Sequence, residues 1–193
     1  MSTGAELQEQ GVNLFMQHEY ESAAEIFKQA KAAYETEQKP DMAAEMQVNL
    51  GLIDRALGNY ESAITLMTES RKVFVDLKDR SREAQVIGNL GGVYLAQGNN
   101  EQATTLYREA ADTFRELNDD ERYGQTLLGL ADIQIRGGKF TEAAMTYEVA
   151  LGSIKNLSLR QKMLKGLLDV KNRVIGGGAP AVATEEKAEE KQS

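Results

Sequence analysis

The chain has 193 residues, with 22 basic against 30 acidic side chains and a net charge of −8. An acidic chain is a poor match for nucleic acid, whose affinity rests on Lys and Arg meeting phosphates. Cysteine is absent and His18 is the one histidine, which excludes disulfides, thiolate metal sites and multi-histidine metal sites.

No apolar run approaches the roughly 18 residues a membrane-crossing helix needs. The first residues, Met1 to Glu6, carry neither the basic nor the apolar segment of a secretion signal. With two prolines and abundant Ala, Glu, Gln and Leu, the composition points to an all-α protein.

Taken in chain order, the punctuation predicts helices near 4–18, 20–38, 41–57, 60–78, 80–97, 100–117, 120–137 and 140–156, then a ninth near 158–175. Thr3-Gly4-Ala5-Glu6 has the spacing of a capping box for the first. Gly58, Gly98 and Gly138 mark helix C-termini midway through their units. Lys39-Pro40-Asp41, Lys78-Asp79-Arg80 and Asn118-Asp119-Asp120 mark the starts of new units, since Asp caps a helix and Pro fits its first turn. His18 stands where later units have Gly, and a His there suits the negative end of the helix dipole.

These elements repeat at a spacing of 40. Gly11, Gly51 and Gly91 recur, followed by Ala131. Ala23, Ala63, Ala103 and Ala143 form a second column, and Ala30, Ser70, Ala110 and Ala150 a third. Phe27, Met67, Tyr107 and Tyr147 form a large-residue column, and so do Tyr34, Phe74, Phe114 and Ile154. Leu50, Leu90, Leu130 and Val170 continue the pattern, as do Leu77, Leu117 and Leu157, a column that Glu37 breaks. Mid-helix Gly costs about 1 kcal/mol against Ala, so its recurrence at one phase implies close approach of a neighbouring helix. Helix pairs of this kind bury their apolar faces only by stacking. The units are 4–39, 40–79, 80–119 and 120–157.

Leu50-Gly51, Gly58, Tyr60, Ala63, Met67 and Ser70, repeated as Leu90-Gly91, Gly98, Ala103, Tyr107 and Ala110, resemble the tetratricopeptide repeat. The resemblance covers residues 5–157. The period is 40 rather than the commoner 34 or so. Asn49-Leu50-Gly51 and Asn89-Leu90-Gly91 are similar to the long-repeat branch, as in GoLoco-binding spindle adaptors and kinesin light chains. The resemblance implies a right-handed superhelical solenoid of four helix pairs over residues 1–175, closed by a capping helix at 158–175. It also implies a non-enzymatic adaptor whose first helices line a concave groove for a peptide or helix of another protein.

On that implied face stand Ala5, Glu9, Val12 and Met16 of the first unit and Glu45, Asn49, Leu52 and Ala56 of the second. Gln85, Asn89, Gly92 and Ala96 follow, then Gln125, Gly129, Asp132 and Arg136. Asn49 and Asn89 carry both a donor and an acceptor, the equipment to clamp a peptide backbone without reading side chains. Arg55, Arg82, Arg122 and Arg136 offer pairing to acidic groups on the ligand. Gln85, Gln125 and Asp132 complete the candidate set. The alternative for each is ordinary: Asn near a helix start satisfies local backbone, and surface Arg is solvated charge. The Lys and Asn clamp that chaperone-tail binders place here is missing, because Val48 and Gly88 precede the Asn column and Leu52 and Gly92 follow it.

No catalytic triad, phosphate loop or calcium loop is present, and no cofactor, metal or enzymatic activity is expected. The ninth helix sets Arg160, Lys162, Lys165, Lys171 and Arg173 against Asp169, a local charge of +4. A basic amphipathic helix can lie on an anionic membrane, but a cap with a polar outer face is the preferred reading. Residues 176–193, opening Gly176-Gly177-Gly178-Ala179-Pro180 and rich in Glu, form an expected disordered acidic tail. The expected setting is the cytoplasm. The expected partner is a protein segment rather than nucleic acid or membrane, with self-association left open.

Overall fold

The computed structural model describes residues 2–175, and the expected acidic tail lies outside them. Among the described residues the regular elements are all helices. They are α1 (Gly4–Met16), α2 (Tyr20–Thr36), α3 (Pro40–Ala56), α4 (Tyr60–Asp76), α5 (Arg80–Ala96), α6 (Asn100–Glu116), α7 (Asp120–Arg136), α8 (Phe140–Ser153) and α9 (Leu159–Ile175). The chain divides into two units after Asn156. In the first, α1 to α8 pack each on the next as four helix pairs, and α5 also meets α3 and α7. This is the expected solenoid of tetratricopeptide-like pairs. The second unit contributes α9, whose N-terminus is capped by Ser158 accepting from the Gln161 amide at 3.3 Å.

The eight helices are set out by one repeated joint. Each connection from α1 to α8 is three residues long, and its middle residue is left-handed: His18, Gln38, Gly58, Lys78, Gly98, Asn118 and Gly138, with φ between 55° and 87°. Two amides then turn back onto the helix just ended. At the first joint the Glu19 amide donates to the Leu14 carbonyl and the His18 amide to Phe15, both at 3.0 Å. At the last joint Lys139 and Gly138 do the same toward Gln134 and Ile135. Carbonyls that a helix end leaves orphaned are satisfied in this way.

The joint corrects the expected boundaries. Helices predicted to end at 18, 38 and 78 end at Met16, Thr36 and Asp76, because the left-handed residue and its predecessor had been counted as helical. Three of the left-handed positions hold His, Gln and Lys, which carry no glycine signal. α8 stops at Ser153 rather than 156, as Ile154 turns extended.

The starts behave as their sequences suggest. Thr3 and Glu6 form the complete capping box. The Asp79, Asn99 and Asp119 side chains accept from the amides of Arg82, Gln102 and Arg122. Lys39 is the N-cap of α3, with Pro40 at its first position.

The columns of the sequence are the contacts of the core. Ala23, Ala63, Ala103 and Ala143 are buried, and so are Tyr34, Phe74, Phe114 and Ile154. The small-residue column explains itself at Gly91, where an added Cβ would sit 3.2 Å from the ring of Tyr107 on the paired helix. A further column, Gly4, Ala44, Ala84 and Gly124, is buried throughout and was not picked out in the sequence. It faces the aromatic column: a Cβ at Gly4 would meet the Tyr34 ring at 2.6 Å. By contrast Leu77 and Leu117 lie near the surface, so their recurrence is not a core signal. Glu37, which breaks that column, accepts from the Gly4 amide at 2.9 Å and pairs with Lys39 at 2.8 Å. It thereby satisfies a donor at the start of α1.

Candidate functional site

Along the expected binding face Asn49, Asn89, Gly92, Gly129 and Asp132 are half-buried, and Gln85, Gln125 and Arg136 exposed. Helices α3, α5 and α7 present these residues because spacings of four and three keep a side chain on one helical face. Two cavities lie along it.

One, about 250 Å³, is lined by Arg55, Gln85, Asn89, Arg122 and Gln125, with Tyr107 and Phe114 at its back. The other, about 240 Å³, is lined by Glu45, Asn49, Arg82 and Gln85, with Gln8 and Val12 of α1 and Phe74 behind. Gln85 belongs to both. Seven of the nine candidate residues therefore line two adjoining cavities. The remaining two, Asp132 and Arg136, pair with each other at 3.0 Å one turn further along α7.

The four arginines are not equivalent. Arg82 reaches Asp41 and Glu45 of α3 at 2.9 Å each and Asp79 at 3.4 Å. It clips α3 to α5, a structural task that competes with ligand binding. The Arg82 hydrogen bond holds the Asp41 carboxyl below its ordinary range. Burial pushes Glu45 the other way, with Arg82 opposing it. Arg122 is paired with the α7 cap Asp119, and Arg136 with Asp132. Arg55 alone of the four has no carboxylate within ion-pair distance among the described residues. Its guanidinium lies over Gly92, where an added Cβ would come within 2.6 Å of Nη1.

The same imagined Cβ is 3.4 Å from the Tyr107 hydroxyl. Tyr107 was legible only as a member of the large-residue column. Its ring runs from α6 between Gly91 of α5 and Gly129 of α7, where an added Cβ would stand 2.6 Å from Cζ. The hydroxyl is thus delivered beside Arg55. Burial raises its pKa above the ordinary value, with Asp132 adding to the rise and Arg55 and Arg136 opposing it, so at neutral pH it remains a hydrogen-bond donor. The signal that marks it is hydroxyl chemistry in a column where Phe27 and Met67 have none, combined with glycines on both flanking helices.

No group of three His, Asp or Glu able to hold a metal occurs among the described residues. None of the described helices is long and apolar enough to cross a membrane. Among the described residues the face presents amides, one guanidinium without a carboxylate partner and a phenol.

Solved structures share this architecture. BtubC (BKLC) from P. vanneervenii superposes with a TM-score of 0.66 at 16% identity, over 95% of this chain and 85% of that one. The apo form of RapI gives 0.66 at 12% identity, over 89% of this chain and 49% of RapI, so the chain spans about half of RapI. PilF of Pseudomonas aeruginosa gives 0.50 at 14% identity, covering 91% and 93%. At such identities the likeness is one of fold. No curated protein is significantly similar in sequence. The sequence profile of the soluble NSF attachment proteins (SNAP), a family of such helical repeats, matches residues 1–169, and the chain belongs to that family.

Proposed function

We propose that the protein is a non-catalytic cytoplasmic adaptor that holds an extended or helical segment of another protein along the α3–α5–α7 face. The observation that carries this reading is the convergence of Asn49, Asn89, Gln85, Gln125 and Arg55 on two adjoining cavities. Family membership and fold support a protein-binding role, while the groove and the peptide are our inference. Among the described residues neither the Asn49 nor the Asn89 side-chain amide is hydrogen-bonded, so we take their donors and acceptors to be available to a peptide backbone. Asn49→Ala combined with Asn89→Ala should weaken capture of the natural partner about tenfold or more, at roughly 0.5–1.5 kcal/mol per hydrogen bond. Far-UV helicity should stay the same. An unchanged dissociation constant, measured by isothermal titration, would remove the groove from consideration.

A further inference from the structure

Resting on that groove reading, we propose that the cavity around Arg55 is an acidic-residue pocket: the Arg55 guanidinium and the Tyr107 hydroxyl together take a Glu or Asp carboxylate of the bound segment. Three features of the structure carry this. The first is charge. The other groove arginines are each neutralised, Arg82 by three carboxylates, Arg122 by Asp119 and Arg136 by Asp132. Among the described residues Arg55 is left as the one groove guanidinium without a counter-ion, and a half-buried cation of this kind gains from a carboxylate that brings its own charge-assisted hydrogen bonds.

The second is geometry. Gly92 makes room for the Arg55 guanidinium, whose Nη1 lies 2.6 Å from the point a Cβ would fill, and the Tyr107 hydroxyl lies 3.4 Å from that same point. The two donors are thus neighbours, and both line one cavity of about 250 Å³.

The third is contrast along the groove. In the neighbouring cavity Arg82 faces Asp41, Glu45 and Asp79, so carboxylates outnumber the cation. An acidic ligand residue is repelled there and attracted at Arg55, which fixes where along the groove it sits.

The test uses the full chain and two capped nonapeptides of alternating residues, one of Ser and Glu, the other of Ser and Gln. Both are titrated by NMR, reading the side-chain amides of Asn49 and Asn89 and the Nε–H signal of Arg55. The Glu peptide should bind about tenfold tighter than the Gln peptide and move the Arg55 signal. The advantage should shrink as salt rises. Arg55→Gln should erase the difference between the two peptides. Gly92→Ala should do the same by displacing the guanidinium, since the atom its Cβ meets is the end of a flexible side chain. Equal affinities for the two peptides would overturn the proposal. So would a Glu preference that survives Arg55→Gln and disappears in Arg122→Gln. If both peptides shift Asn49 and Asn89 while Arg55 stands still, the pocket fails and the groove reading survives. If neither peptide moves any of these signals, both fail.

Discussion

A single backbone angle, repeated seven times, sets the register of this protein, and it can be tested one residue at a time. At Gly98, φ is 87° and an added Cβ would meet nothing within 4 Å. Gly98→Ala therefore isolates the left-handed strain, expected to destabilise by about 1 kcal/mol in urea melts. Lys78 pays that strain already at φ 57°, and Lys78→Gly should raise stability by about 0.5–1 kcal/mol. The ion pairs around Arg82 give a second residue-level test. Asp41 titrates below its ordinary range, so its contribution is complete above the unfolded-state pKa and is lost as pH falls through the folded value. Asp41→Asn should lower the melting temperature at neutral pH, and the deficit should close as pH falls through the lowered folded-state value of Asp41. Glu45 titrates above its ordinary range, so its ionisation weighs against the fold until pH falls through the folded value. Glu45→Gln should leave the neutral-pH melt unchanged or higher. These residues also show what a sequence can say of a site. Phase placed Asn49, Asn89, Gln85 and Gln125 on one face, because 3.6-residue periodicity is local. That Arg82 is spent on α3 and Arg55 is not depends on partners up to 41 positions away, which phase does not encode.

At the scale of the helix, one contact recurs: a small residue on the first helix of a pair against a large one on the second. Gly91→Leu should destabilise by about 1–3 kcal/mol, since the Tyr107 ring occupies the space. Gly152→Ala, in α8 with nothing within 4 Å, is the control and should be neutral or stabilising by up to about 1 kcal/mol. Equal melting temperatures for the two variants would contradict the assignment. Helix existence and pairing were legible because Gly, Ala and aromatic columns ran in phase. Helix ends were less so, since only Gly58, Gly98 and Gly138 announce a left-handed residue while Gln38 and Lys78 adopt it silently. For α9 we propose the capping role that its sequence suggests. A chain ended after Asn156 should then melt lower and aggregate, because terminal repeats must be shielded from water. If α9 instead serves to hold an anionic membrane, that shorter chain stays monomeric and stable and only liposome flotation is lost. Calorimetry and light scattering separate the two.

At the scale of the whole molecule, the period of 40 carried the fold class, since a pattern shared by four units outweighs any single ambiguous segment. It carried function only as far as a binding class, because the same scaffold serves many partners. Consecutive packing has a further consequence, for time rather than shape. Arg82 and Asp41, the widest-spaced hydrogen-bonded pair in the groove, are one repeat apart in sequence. Folding the first unit therefore closes only short loops, and its low contact order implies rapid assembly that can begin at any helix pair. Opening follows the same logic. Among the described helices amide exchange should be slowest around α5, which meets α3, α4, α6 and α7, so the α5 residues proposed to line the groove remain in place while less contacted helices come and go.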